Sequence, residues 1–181
     1  FVVVTLGIVS PTKRPDVLLR AVAGLPARLR ANAHVLIVGP AGDKERDDLR
    51  SLAAELGLAD QVELRGKVPL ADFAAYAFAA DVCVQLRHPS NGETSGALAR
   101  ALAAGACCVT SDMPTMCDIP NTVTRKVRSP LRDTFDLTAA LACLAADPAA
   151  RDRMADAARR YAAEVCGPAV VAAGYAAAVA D

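Results

Sequence analysis

Apolar strand patterns alternating with amphipathic helix patterns predict an α/β protein. The expected fold is a doubly wound, mainly parallel six-stranded sheet with helices on both faces and a helical C-terminal tail. Two observations carry this. The runs "FVVVTLG", "HVLIVG" and "ACCVTS" are apolar at nearly every residue, as strands buried on both faces must be. The segments between strand-like runs place apolar residues three and four apart, the helical spacing.

In chain order, "FVVVTLG" is the first strand and "RPDVLLRAVAGL" the helix after it. "HVLIVG" is followed by the charged helix "DKERDDLRSLAAELGL", and "QVELRG" by "LADFAAYAFA". "DVCVQLR" leads through a polar turn into "TSGALARALAAG", and "ACCVTS" and "TVTRKV" complete six strands. Gly24, Gly57 and Gly105 fall near helix ends, where a left-handed cap suits glycine. After about residue 130 the pattern is wholly helical, in "LRDTFDLTAALACLAAD", "PAARDRMADAARRYAAEV" and "PAVVAAGYAAAVAD". No linker or repeat divides the chain, so residues 1–181 read as one domain.

With 54% hydrophobic and 4% aromatic residues, the core is aliphatic and rich in alanine. Twenty basic and twenty acidic side chains cancel, so no net field favours nucleic acid or an anionic membrane. An anion would have to be held by a local arrangement. There is no CxxC pair and there are two histidines, which argues against a metal site. Cys83, Cys107, Cys108 and Cys143 lie in apolar runs and read as small buried residues of a reducing cytoplasm, without disulfides. The apolar C-terminal run is shorter than the roughly 20 residues of a membrane span, so no transmembrane segment is expected. The first residues lack the marks of a signal peptide. The chain opens mid-strand without a Met, and a piece of a longer protein is expected.

On such a sheet, ligands bind beyond the carboxyl ends of the strands where strand order reverses. The loop "GIVSPTKRP" offers a turn at Gly7, hydroxyls at Ser10 and Thr12, and two cations, Lys13 and Arg14, at a helix start. Cations there oppose the helix dipole unless an anion offsets them; the alternative is two solvated side chains. "VGPAGDKER" is a weaker phosphate-loop candidate with Asp43 as its helix cap, and Gly66 in "RGKVPL" permits close approach of a flat group. In "NGETSGALARALAAG", Asn91 and Gly92 form a turn and Thr94 or Ser95 caps a helix. The amides of Thr94, Ser95 and Gly96 then form an anion site with Glu93 at its rim. Taken alone, Glu93 also reads as a first-turn acid and Arg100 as a snorkelling surface residue. "TSDMPTMCDIP" brings Asp112 and Asp118 towards the same rim.

Together these loops resemble the C-terminal, donor-binding domain of retaining glycosyltransferases built from two facing Rossmann-like domains, the family 4 or group 1 type. "VGPAGDKERDDLRSLAAELGLADQVELRGKVP" is similar to the family's "VGxG…LxxLAxxLGLxxxVxFLGxVP", and "ADVCVQLR" to its "ADVFVxPS". Gly7 and Lys13 match a Gly-Arg…Lys turn in which Ile8 replaces the Arg. "ETSGALARALAAGACCVTSD" is similar to the family's paired-acid motif, one residue shorter. Glu93 stands at the first acid and Arg100 replaces the second, which in the family holds the ribose.

The resemblance implies a nucleoside-diphosphate sugar as donor. Gly7, Ser10, Lys13, Arg14, Thr94, Ser95, Gly96 and Arg100 would lie at the diphosphate, Glu93 on sugar hydroxyls, and Gly66, Lys67 and Val68 against the base. Lys13 and Glu93 would be the catalytic pair. It further implies no cofactor and no metal, and a saccharide or lipid-linked acceptor brought by an N-terminal domain. A cytoplasmic location, peripheral to the inner membrane face in the longer protein, goes with it. Two alternatives are a non-catalytic nucleotide-sugar module with a degenerate pocket, and an epimerase on the same two-domain fold; the carboxylate pattern the epimerase needs is not found.

Overall fold

A computed structural model describes residues 1–90, 92–128 and 130–180. Six strands, β1 Val2–Leu6, β2 His34–Val38, β3 Val62–Gly66, β4 Val82–Gln85, β5 Cys108–Asp112 and β6 Thr124–Arg128, form one sheet in the order β3-β2-β1-β4-β5-β6. Every pairing is parallel; Val3 lies opposite Val35 on one side and Val82 on the other. Strand order reverses between β1 and β4, so the chain leaves these neighbours in opposite directions and a crevice opens above them.

Among the described residues the helices are α1 Pro15–Ala23, α2 Ala27–Arg30, α3 Asp43–Glu55, α4 Leu70–Ala79, α5 Gly96–Ala103, α6 Asp133–Ala146, α7 Pro148–Glu164 and α8 Pro168–Ala180; they follow the expected alternation except for the short α2, which the sequence pattern did not indicate. The two-residue period of the strands makes two cores. Val3, Val35, Ile37, Val84 and Val109 face α1, α3 and α6. Val4, Val38, Cys83 and Cys108 face α4, α5 and α7. Within the second core Leu98, Ala101 and Leu102 anchor α5. Burying each leucine contributes about 1.5–3 kcal/mol, which holds the N-terminus of this short helix in place.

The structure differs from the sequence expectations at several places. Gly24 ends α1 in a right-handed conformation, whereas Gly57 and Gly105 have φ of +68° and +74°. Gly24 suits its place for a different reason: a Cβ there would come within 3.3 Å of the Thr138 hydroxyl on α6. Gly42, not Asp43, is the cap residue of α3, and Asp43 pairs with Arg46 at 3.0 Å. Cys83, Cys107 and Cys108 are buried and all six cysteines are free, but Cys143 faces outward from α6.

The C-terminus also departs. Taken as one run, Pro148–Ala180 is long and apolar enough to cross a membrane by length and composition, because a window that tolerates one or two charges reaches further than an uncharged run. The chain breaks between the two helices: α7 packs on α5 through Ala158 and Ala162, while α8 has 13 residues and none buried.

Candidate functional site

Two loops meet above the switch point. Gly7 leaves β1 with φ +114°, and its amide donates to the Val38 carbonyl at 2.9 Å. This presses the first loop onto Gly39, where any side chain would overlap the Gly7 carbonyl. The chain then forms a 3-10 turn, Pro11–Lys13, with the Ser10 and Thr12 hydroxyls 2.9 Å apart. Arg14 takes the left-handed conformation at φ +52° and α1 starts at Pro15.

Lys13 is therefore not in the first turn of a helix, as the sequence suggested. It closes the preceding 3-10 turn, where carbonyls favour a cation. Arg14 turns to the first core's side of the sheet: its Nη1 lies 3.0 Å from Asp133 Oδ2 and its Nε 3.8 Å from Asp16. The Asp133 contact brings the charges together without the alignment of a hydrogen bond, leaving buried Oδ2 with no directed donor. The geometry thus gives Arg14 a structural partner between α1 and α6.

The second loop leaves β4. The Arg87 amide donates to Ser111 Oγ at 3.0 Å, and the His88 amide donates to the Thr12 carbonyl at 2.8 Å, tying this loop to the turn that carries Lys13. The His88–Pro89 peptide is cis, and Gly92 has φ +85°. Asn91, the other half of the expected turn, lies outside the described residues. Ser95, rather than Thr94, caps α5; its hydroxyl accepts from the Leu98 amide at 3.2 Å. The amides of Gly96 and Ala97 have no acceptor within the helix and remain for an anion.

Lys13 and the start of α5 converge on Gly7. A Cβ on Gly7 would stand 3.8 Å from Lys13 Nζ and 3.7 Å from Ala97 Cβ. Burial, and then the neighbouring Arg87 charge, pull the Lys13 amine down to about 8; Cys83 works weakly in the other direction. Glu93 forms an ion pair with Arg87, whose side chain is only 12% exposed and whose Nε is buried without an acceptor among the described residues. Sequence reasoning missed Arg87. Its signal was a cation two residues past the end of a mostly apolar strand, in a loop at the carboxyl end of the sheet.

The remaining candidates are more dispersed. Arg100 is exposed and folds back so that Nη1 donates to the Gly96 carbonyl at 3.1 Å. Gly66 has φ +66° with open space on its Cβ side, and its carbonyl accepts from the Gly39 amide. Lys67 is exposed and Val68 packs against the second core. Gly66 and Lys67, with Val9, Gly39, Pro40 and Arg46, line a cavity of about 420 Å³ beside the Gly7 loop. A larger cavity of about 570 Å³ opens below β4 and β5 around Asp81, Gly105 and Arg151, at the opposite end of the strands. Asp112 is the exposed end of β5, and Asp118 accepts weakly from the Cys117 thiol at 3.5 Å. Among the described residues no three His, Cys, Asp or Glu side chains gather as metal ligands. Burial pushes the Cys107 thiol up to about 12, which keeps it un-ionised.

A six-stranded all-parallel sheet that reverses strand order beneath two converging loops is a Rossmann-like α/β fold. The profile of the Glycosyl transferases group 1 family matches residues 1–161, and the chain belongs to that family. A D-inositol 3-phosphate glycosyltransferase of Thermomonospora curvata is 34% identical over 173 residues, 90% of this chain and 38% of the relative. The enzyme of the same name from Streptomyces avermitilis is 43% identical over 106 residues, 55% of this chain and 22% of the relative. The chain thus spans well under half the length of these relatives. Among solved structures, WaaG, a glycosyltransferase involved in lipopolysaccharide biosynthesis, superposes with TM-score 0.80 at 22% identity, covering 93% of this chain and 44% of that one. Anabaena Alr3699/HepE, in complex with UDP and glucose, superposes with TM-score 0.80 at 20% identity over 98% of this chain and 48% of that one. The C-terminal domain of a group 1 family protein, LpcC from Francisella tularensis, gives 0.74 at 14% identity over 88% of this chain and 83% of that one.

Proposed function

We propose that this chain is the donor-binding half of a retaining glycosyltransferase that moves a hexose from a nucleoside-diphosphate sugar to an acceptor. The observation that carries the reading is the convergence of the Lys13 amine and the α5 N-terminus on Gly7 at the switch point, with the Arg87 charge neighbouring Lys13. Complexes of Alr3699/HepE with UDP-glucose, and the superposition on a C-terminal domain, support it. The acceptor, saccharide or lipid-linked, would come with a second domain, at or near the inner membrane face.

In this reading the diphosphate lies over Gly7. Lys13 and the amides of Gly96 and Ala97 oppose the charge that grows on the leaving phosphate as the glycosidic bond lengthens, and no metal is called for. Glu93 accepts from sugar hydroxyls. Gly66 to Val68 form the floor for the base, the glycine letting a flat ring approach the backbone. A second reading, a binding module that no longer transfers, is favoured by one observation: the Glu93 carboxylate is engaged by Arg87.

Thermal shift of the chain with UDP, GDP, ADP and their hexose conjugates tests the donor site, because a ligand held by the folded state stabilises it by mass action. One nucleoside diphosphate should raise the melting temperature and its nucleoside should not. A flat response to the whole panel would refute the reading. Transfer by the longer protein from that donor separates enzyme from binding module, and the 181-residue chain alone should transfer nothing.

A further inference from the structure

Three candidates stand outside the roles above: the Asp81–Arg151 cavity below the sheet, the unpartnered helix α8, and Arg87. The cavity's guanidinium is already paired with Asp81 at 3.0 Å, and nothing in the structure shows what covers α8. Arg87 carries more.

We propose that Arg87 is a second diphosphate-binding residue, its guanidinium shared between Glu93 and the phosphates of the donor. The inference rests on the donor-site reading. Arg87 sits two residues past the carboxyl end of β4, a central strand beside the switch point, with its amide fixed on Ser111 and the next residue fixed on Thr12. Its side chain is nearly enclosed, so it has little freedom to seek other partners. A guanidinium has five donors and no acceptor; here Nη1 meets Glu93 and buried Nε meets nothing among the described residues. Leaving a charged buried donor unsatisfied is unfavourable, and a phosphate oxygen accepting from the guanidinium would remove that cost.

Charge points the same way. Arg87 is close enough to Lys13 to depress its proton affinity, so two like charges have been drawn together in a half-buried place. Lys13 and Arg87 therefore carry the positive charge here: Arg14 is held on Asp133, exposed Arg100 folds back on the Gly96 carbonyl, and Ile8, at 68% exposure, brings no charge to the loop. A diphosphate matches two cations and a helix N-terminus. The fork of Arg87 also meets two phosphate oxygens at once, which a lysine cannot do.

Calorimetric titration of the chain with inorganic pyrophosphate and with UDP, GDP and ADP decides this. Arg87→Met should weaken pyrophosphate and the bound nucleoside diphosphate by about tenfold or more, the loss of one charge-assisted pair. Glu93→Gln should strengthen pyrophosphate by a few-fold, because it removes the negative charge that competes for the guanidinium. Should the Met variant fail to fold, Arg87→Gln, which keeps a donor for Glu93, takes its place with the same expected loss. If the Arg87 variants lose thermal stability but hold pyrophosphate as tightly as the parent, Arg87 serves only to brace Glu93 and the inference falls. A parent chain that binds none of these probes would overturn the donor site itself, and Arg87 with it.

Discussion

Raising the pH from 7 to 9 should weaken diphosphate binding about tenfold. Lys13 in the free site titrates at about 8, pulled down by burial first and then by Arg87, with Cys83 opposing. An anion beside it favours the charged amine and raises its pKa, so binding takes up a proton. Affinity is then full below about 8 and falls as pH rises through it. The protonated fraction drops from about 0.9 at pH 7 to about 0.1 at pH 9, a tenfold change or about 1.4 kcal/mol. With a nucleoside diphosphate as ligand, the terminal phosphate, whose second pKa is about 6, is already about nine-tenths ionised at pH 7 and adds little slope. Calorimetry at half-unit intervals, in buffers of different ionisation enthalpy, measures both the affinity and the proton uptake. Lys13→Arg keeps its charge throughout and should give a flat profile. Folding stability has the opposite sign of slope: the folded state holds this proton less tightly than the unfolded chain, so stability rises with pH between about 8 and 10.5. If the parent and Lys13→Arg lose affinity in parallel between pH 7 and 9, some other group titrates and Lys13 does not face the phosphates.

Asp133→Ala should destabilise the domain by about 2–3 kcal/mol in urea unfolding, somewhat less than for a fully enclosed pair because Arg14 is one-fifth exposed; diphosphate affinity should change little, and a large loss would place Arg14 in the site. Ser95→Ala removes the cap on the Leu98 amide and should cost about 1 kcal/mol of stability by the same assay, whereas an unchanged midpoint would mean that Thr94 takes over. Glu93→Ala should lower affinity for the sugar nucleotide while the bare diphosphate binds as well as before or better, Arg87 being released; equal losses measured by calorimetry would assign Glu93 to the phosphates or to the fold.

Burial on both faces made the sheet legible, because central parallel strands are largely apolar and the runs through β1, β2 and the start of β5 are. Local chemistry was harder to read where neighbours compete for one role. Thr94 and Ser95 are both good caps, and only the packing of Leu98 against the second core selects Ser95. "SPTKRP" reads as a helix start with two prolines, but the left-handed Arg14 detaches Lys13 from α1 and returns it to a separate turn. The partners of the cations were invisible for a simpler reason. Asp133 meets Arg14 only after the chain has crossed the sheet, and Arg87 meets the Lys13 turn only because β4 lies beside β1.

That distribution of partners bears on how an uncharged protein holds an anion. Asp43, Asp81, Asp133, Asp136 and Asp156 each engage an arginine, so much of the basic charge is neutralised where it stands. Lys13 has no carboxylate within ion-pair distance among the described residues, yet it is half-buried and faces a second cation. Folding alone gives no reason to gather such charges, since moving Lys13 out to solvent would relieve both its desolvation and its repulsion from Arg87. Backbone constraints hold it there: the 3-10 turn and the His88–Thr12 hydrogen bond fix the loop from both sides. A field built this way is local and pre-set; in the proposed donor site it would oppose charge growing at the leaving oxygen without reorganising. In the proposed reading the same arrangement would favour a compact dianion over a distributed polyanion such as nucleic acid, because the 20 acidic and 20 basic residues of the chain leave no net field to attract the latter.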